Sequence, residues 1–221
     1  MKVSAYNIYD EAIGCRKHFS FYPVVIVWVA FKTLFDVRFS DRGGAMQKQY
    51  IIRRFNPKDL DNVVKLNWVF LPENYPSFFF LENYTHWPEA FLVAESEGKI
   101  VGYVMCRVEE KYYRFSPIKL GHVLSIAVEK KHRRQGIATA LMKGAEGGLV
   151  NTYGVDLVYL EVRISNEPAI SLYKKLDYRV LGIMPKYYSD GEDGYLMVKP
   201  VSERADERFI SAVLGYRVKS K

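Results

Sequence analysis

The stretch Arg133-Arg134-Gln135-Gly136-Ile137-Ala138 sets two guanidinium groups and a side-chain amide beside small residues. That combination suits an anion. A helix start leaves backbone N–H groups without internal partners, and the aligned peptide dipoles make that end electropositive. Phosphate or pyrophosphate is the usual occupant. Gly136 and Ala138 let such a ligand approach the backbone, while Arg133 and Arg134 add full positive charge. Taken alone, these residues fit either a phosphate-bearing cofactor site or a solvated basic helix start.

The elements that must position this stretch are legible on both sides of it. Upstream, Gly121-His122-Val123-Leu124-Ser125-Ile126-Ala127-Val128 is apolar and β-branched enough for a buried strand. Downstream, Ile137, Leu141 and Met142 recur at helical spacing, which predicts a helix over 137–153, weakened by Gly144, Gly147 and Gly148. Strands are predicted over 50–54, 90–96, 100–109, 120–128, 156–163, 178–184 and 195–199, with a hairpin at Glu97-Gly98. A helix capped by Asn56, with Pro57 in its first turn, carries Leu60, Val63, Val64 and Asn67 on one face. Another, capped by Ser165 or Asn166, carries Ile170, Tyr173 and Leu176. This order predicts an α/β fold with a mixed, strongly twisted sheet flanked by helices. A dinucleotide-binding fold would place Gly-x-Gly-x-x-Gly after its first strand. Here the glycine comes late and that pattern is missing, which excludes it.

A chain of 221 residues can bury one good core with an appendage, hardly two full domains. Its hydrophobic fraction of 49% and charged fraction of 26% are those of a soluble globular protein. The net charge of +7 is spread without a run of lysines or arginines, so no specific nucleic-acid partner is expected. Cys15 and Cys106 lie far apart without metal-type spacing, so neither a disulfide framework nor a metal site is expected. Cys106 falls in an apolar strand pattern and is expected to be buried. The run 19–31 is apolar for 13 residues, short of the roughly 18–20 that span a bilayer. Asp10 and Glu11 precede it and no small-residue cleavage site follows, unlike a signal peptide. A soluble, cytoplasmic protein is expected.

The pattern Arg/Gln-x-x-Gly-x-Gly/Ala between a strand and a helix resembles the acetyl-coenzyme A loop of the GNAT acetyltransferase superfamily. Further blocks resemble one subgroup, the archaeal N-α-acetyltransferases and the catalytic subunit of eukaryotic NatA. They are Leu71-Pro72-Glu73-Asn74-Tyr75-Pro76, Gly121-His122 with its strand, Tyr159-Leu160-Glu161-Val162-Arg163-Ile164-Ser165-Asn166, and Pro185-Lys186-Tyr187-Tyr188-Ser189-Asp190-Gly191-Glu192-Asp193. The resemblance implies a GNAT domain over 46–201; outside it lie an extension or linker (1–45) and a tail (202–221) in which 203–214 reads as a short helix. Met46 is expected either to be the natural start or to follow a real extension whose strand-like 24–31 packs on the core or a second subunit.

On that resemblance the cofactor is acetyl-CoA. It would be held by Ile126, Ala127 and Val128 on the strand, by Arg133, Arg134, Gln135, Gly136, Ile137 and Ala138 in the loop, and by Asn166 and Tyr173. Glu73 and His122 are the implied bases, singly or together through ordered water. Tyr173 would protonate or position the departing thiolate, and a backbone N–H near Ile126 would hold the oxyanion. For Tyr173 a core position, and for Asn166 a helix cap, fit equally well. Leu71, Glu73, Tyr75, Tyr187 and Tyr188 would line a slot for an extended peptide end. Glu161 would contact substrate or satisfy Arg163. Pro76-Ser77 followed by Phe78-Phe79-Phe80 departs from the family, and much of this aromatic run is expected to be buried. The implied activity is acetylation of protein N-termini by direct attack. An α-amine, with a pKa of about 7.7–8.0 against roughly 10.4 for lysine, needs only a modest base. A GNAT acting on lysine or a small amine, and a non-catalytic acyl-CoA-binding or ribosome-associated module, stay open as alternatives, as does an auxiliary subunit.

Overall fold

In a computed structural model, which describes residues 50–215, alternating apolar side chains set seven strands into one sheet. They are β1 (Tyr50–Arg54), β2 (Phe91–Ser96), β3 (Lys99–Tyr113), β4 (Ser116–Val128), β5 (Leu157–Arg163), β6 (Arg179–Met184) and β7 (Gly194–Pro200). Their spatial order is β1-β2-β3-β4-β5-β7-β6. Only β4 and β5 run parallel; every other neighbouring pair is antiparallel. The helices are α1 (Leu60–Phe70), α2 (Ser77–His86), α3 (Ile137–Asn151), α4 (Glu167–Lys175) and α5 (Glu207–Leu214). Cys15 and the strand-like 24–31 lie outside the described residues. Among the described residues, no helix is long and apolar enough to cross a membrane.

The mixed sheet and its flanking helices are as the sequence predicts, with three differences. β3 runs on to Tyr113 and β4 begins at Ser116; charged residues at Glu110, Lys111 and Lys119 hide the apolar alternation there. Helix α2 is not foreseen by periodicity, because one of its three buried positions is Asn83. It splits the aromatic run: Phe79 and Phe80 are buried, whereas Phe78 is 63% exposed. Asn56 caps not α1 itself but a short 3-10 turn, Pro57–Asp59, that leads into it, and Asp59 returns the bond to complete a capping box.

Strand alternation gives the sheet two different faces. α3 and α4 cover one, packing Leu141, Met142, Leu149, Ile170 and Tyr173 on Val104, Cys106, Val158 and Met197. α1 and α2 cover part of the other, over Val93, Tyr103, Met105 and Ala127. Farther along that face α5 packs Phe209, Ile210 and Val213 on Leu120, Leu157 and Tyr159. Burying each of those three side chains stabilises by about 1.5–3 kcal/mol. Helix α3 sits unusually close to the sheet edge. A Cβ on Gly148 would lie 2.1 Å from the Glu89 carbonyl oxygen, and one on Gly144 would lie 2.7 Å from Leu92.

The sheet is incomplete at its centre. β4 and β5 pair only where Leu120–His122 meets Leu157–Tyr159. A bulge between Met105 and Cys106 leaves Leu124 unopposed and bends β4 just beyond that pairing. Past His122, therefore, the two parallel strands part.

Candidate active site

His122 stands at the last paired position before this gap, opposite Arg107 on β3 and Tyr159 on β5. Its Nε2 lies 2.8 Å from Oε2 of Glu161, and its Nδ1 lies 3.3 Å from Oε1 of Glu109. Tyr159 stacks on the imidazole at 4.3 Å and donates its hydroxyl proton to Glu109 at 2.9 Å. Arg107 donates to the same carboxylate at 2.9 Å. Burial alone would discharge the imidazole, but Glu161 and Glu109 together outweigh it and raise its pKa above the usual histidine value. Glu109 is the mirror case: burial would raise it, yet His122, Arg107 and Tyr159 hold it down at about 2. His122 thus lies between two carboxylates, whose presence spacing along the chain could not show.

Glu73 lies on the loop 71–76 after α1, and buried Asn67 shapes that loop. The Asn67 amide donates to the Glu73 carbonyl and lies 3.1 Å from the Tyr103 hydroxyl, and its oxygen accepts the Tyr75 N–H, each at 3.1 Å. Tyr75 stacks on Phe79 at 4.8 Å and donates to the Leu124 carbonyl at 3.4 Å. Leu71 packs beside it against the α1–α2 core. The Glu73 carboxylate accepts from Arg163 at 2.6 Å. Arg163 also bridges Asp190 and Glu192, each at 2.7 Å, and lies 4.0 Å from the Tyr188 ring. One guanidinium thus ties the 71–76 loop to the β6–β7 hairpin. Glu161 bonds His122, and Arg163 takes Glu73 rather than Glu161. Burial raises the Tyr188 hydroxyl, and Glu73, Glu161 and Tyr173 raise it further. Tyr187 meets Tyr188 edge to face at 5.1 Å and is partly exposed.

The anion-receiving end lies across the gap. Gly136 caps α3 in the left-handed region (φ 80°), and no side chain caps this helix. By contrast, the Asn166 side chain caps α4 at 3.3 Å and Asp206 caps α5 at 2.7 Å. The free N–H groups of α3 thus fit a pyrophosphate. Ile137 is buried and Ala138 half-buried beneath this end. Arg133 donates to the Val128 carbonyl at 2.9 Å and lies over Phe70 at 5.3 Å, which anchors the turn. Gln135 donates to the Lys131 carbonyl at 3.2 Å. Arg134 is exposed and held with φ 61°. Ala127 and Val128 are buried and Ile126 half-buried on β4, along its unpaired stretch. Tyr173 is buried on the α4 face, its hydroxyl raised by burial and by Cys106 nearby. Among the described residues no cluster of side chains could hold a metal ion. The sequence reading missed Asn67, Arg107, Glu109, Tyr159 and Arg163 as site residues. The strand alternation of Tyr159, Glu161 and Arg163 was the one signal that could have found some of them.

A sheet that parts at its centre, an uncapped helix start and a carboxylate tied to the β6–β7 hairpin by Arg163 are thus features of one chain. Residues 60–178 match the model of the Acetyltransferase (GNAT) family. The chain is a GNAT acetyltransferase. The match spans α1, the loop 71–76, the cofactor loop and α4. The acetyltransferase is 45% identical over 158 residues to an N-alpha-acetyltransferase of Sulfurisphaera tokodaii, which covers 70% of this chain and 95% of that relative. Its fold is similar to that of Ard1 from Thermoplasma volcanium, with a TM-score of 0.61 at 34% identity over 70% of this chain and 99% of the other. It is also similar to Chaetomium thermophilum Naa20, solved with a bisubstrate analogue, with a TM-score of 0.62 at 32% identity over 77% and 93% of the two chains. Acetyl-CoA is the cofactor of this acetyltransferase family.

Proposed function

We propose that this acetyltransferase modifies the α-amine of protein N-termini. The observation that carries this reading is Arg163, which holds the Glu73 carboxylate at 2.6 Å and lies 4.0 Å from the Tyr188 ring, in a chain whose central sheet parts after His122 and whose α3 starts uncapped. The likeness to the Sulfurisphaera tokodaii N-alpha-acetyltransferase supports it. The α3 backbone N–H groups and Arg134 would hold acetyl-CoA, which would supply an activated thioester. The protein's own groups do the rest. Leu71, Tyr75, Tyr187 and Tyr188 wall the slot for the extended peptide end, and the carboxylates attract its amine. Glu73, released from Arg163, accepts the amine proton directly or through water. His122 acts through Glu161, its imidazolium holding that carboxylate in place. Backbone N–H groups of β4 near Ile126, which have no strand partner on the β5 side, stabilise the developing oxygen charge. Tyr173 would return a proton to the departing sulfur, while Asn166 holds α4 in position.

A peptide panel tests this reading. Purified protein is given acetyl-CoA and short peptides beginning with Ser, Ala, Met or Glu, with the α-amine free or blocked. Transfer confined to free α-amines supports the proposal. Transfer that survives the block points to lysine, and cofactor binding without transfer points to a non-catalytic module. Glu73→Gln and His122→Gln should lower turnover more than cofactor affinity; intact turnover in the double variant would sink the proton assignment. We place the enzyme in the cytoplasm with protein N-termini as its acceptors. Size-exclusion chromatography and ribosome co-sedimentation test for an auxiliary subunit and for ribosome association.

A further inference from the structure

Two tyrosine hydroxyls tie the 71–76 loop to the bend in β4. The bulge there leaves Leu124 unopposed beside Ser125. Both residues lie past His122, the last position at which β4 pairs with β5. Tyr75 of the loop donates to the Leu124 carbonyl at 3.4 Å. The second tie runs through the core. The Asn67 amide donates to the Glu73 carbonyl and to the Tyr103 hydroxyl, each at 3.1 Å. That hydroxyl lies 2.6 Å from the Ser125 hydroxyl. A side-chain amide has two N–H donors, and a phenol can accept while it donates. Asn67 can therefore serve both groups while Tyr103 keeps its own proton for Ser125.

Stability alone does not call for this chain of polar groups. Tyr103 and Asn67 have 0% exposure and Ser125 is buried. The Tyr103 ring packs with Phe80 at 6.2 Å and Phe91 at 6.5 Å, and Met105 joins the same cluster. A phenylalanine would pack there as well. Apolar groups of matching shape, in place of a buried hydrogen-bonded set, can be nearly neutral for stability. They would not fix one element against another. Tyr103 stands on β3 opposite Ala127, with Ser125 as its diagonal neighbour on β4, and its hydroxyl reaches from there to α1. The bend and the loop are thus held together at two points. A bulge beside a site is where a strand re-aims its groups.

We propose that the Tyr103 hydroxyl is a positioning group for acetyl transfer: it holds the bend of β4, which faces the thioester, at a set distance from the loop that carries Glu73. This rests on the N-terminal acetyltransferase reading above. Being fully buried, Tyr103 touches neither donor nor acceptor. It acts on the separation of the reacting groups, where a misplacement of about 1 Å costs roughly a hundredfold in rate. Burial raises the hydroxyl well above the usual tyrosine value, so it stays a neutral donor at any working pH.

The test compares Tyr103→Phe and Ser125→Ala, which cut the same link from its two ends, with the double variant, all in the full chain. In each single variant, kcat for a peptide with a free α-amine should fall roughly tenfold or more, while the acetyl-CoA dissociation constant from calorimetry stays within about twofold of wild type. The double variant should lose no more than the worse single one, because a shared link is lost only once. In the ligand-free protein, amide hydrogen exchange should quicken by roughly three- to tenfold over both 71–76 and 123–127, and not over α3. Unchanged kcat in both single variants, losses that add in the double, or exchange that quickens uniformly along the chain each overturn the proposal and leave the acetyltransferase reading standing. A wild-type protein that acetylates no free α-amine overturns that reading, and the proposal with it.

Discussion

Asn67→Ala removes three hydrogen bonds from a position with no exposed surface. The three groups it leaves behind do not suffer equally. The Tyr103 hydroxyl keeps Ser125 at 2.6 Å, so it is not orphaned. The Glu73 carbonyl belongs to a residue whose side chain is 41% exposed, and water can reach it. The Tyr75 N–H lies beneath a ring stacked on Phe79 and is the group most nearly stranded. An unpaired buried donor costs about 1–3 kcal/mol, and the lost net bonds add about 1 kcal/mol each. With two such bonds beside the stranded donor, the total is about 3–5 kcal/mol, shared between global stability and release of the 71–76 loop. If roughly half of it appears as loop release, kcat/KM for a peptide falls by about 10- to 70-fold. The KM for acetyl-CoA should stay put, because α3 and its loop are across the gap. Urea denaturation and steady-state kinetics on the same preparation measure both parts. Asn67→Asp keeps the acceptor for Tyr75 and should recover some of the loss. Wild-type peptide kinetics in a clearly destabilised Asn67→Ala protein would refute the idea that this side chain positions Glu73.

Arg163→Gln cuts the tie among Glu73, Asp190 and Glu192; kinetics should show peptide KM rising about tenfold, roughly the loss of one charge-assisted bond, with acetyl-CoA KM unchanged. The raised pKa of His122 means that its stabilising contribution is full below the unfolded value of about 6.5 and is lost as pH rises through the higher folded value. Melting curves across pH should therefore lose that alkaline decline in His122→Gln. Glu109, lowered to about 2 from 4.5, works in the opposite sense, stabilising above 4.5 and losing that contribution as pH falls towards 2; Glu109→Gln should flatten the acid limb. On α3, Gly147→Ala meets only Asn151 at 3.9 Å and should stabilise by up to about 1 kcal/mol. Gly148→Ala would drive a Cβ to 2.1 Å from the Glu89 carbonyl oxygen and should destabilise by about 3 kcal/mol or more. Thermal melts that rank these two variants the other way would contradict the close packing of α3.

Much of this site is legible in the sequence, because strand and helix periods are local. The Val123–Val128 alternation, the glycine at the start of α3 and the apolar stripe of α4 each declare themselves within a few residues. What the chain hides is which charge meets which. Glu73 and Arg163 are 90 positions apart, and their pairing depends on a loop held by Asn67. Asn67 itself sits on an apolar helix face, where the period marks burial but not hydrogen bonding. Glu161 and Arg163 share one face of β5, so alternation cannot say which of them turns to His122; the register of three strands decides it. α2 escaped for a related reason, its buried stripe being interrupted by Asn83. The outer part of the β3–β4 hairpin turns Tyr113 and Ile118 to the α5 core, but the charges of Glu110, Lys111 and Lys119 mask that alternation in the sequence.

The parting of β4 from β5 turns the sheet into a partition with a doorway. On the proposed reading, donor and acceptor are brought up to it from opposite rooms: the donor from the side of α3, the acceptor from the side of α1, α2 and α5. Neither has to cross the other's path to arrive or to leave. Drift on the acceptor side can therefore change which proteins are modified while the donor side stays fixed, so a lineage can diversify its clientele without relearning how to hold its currency.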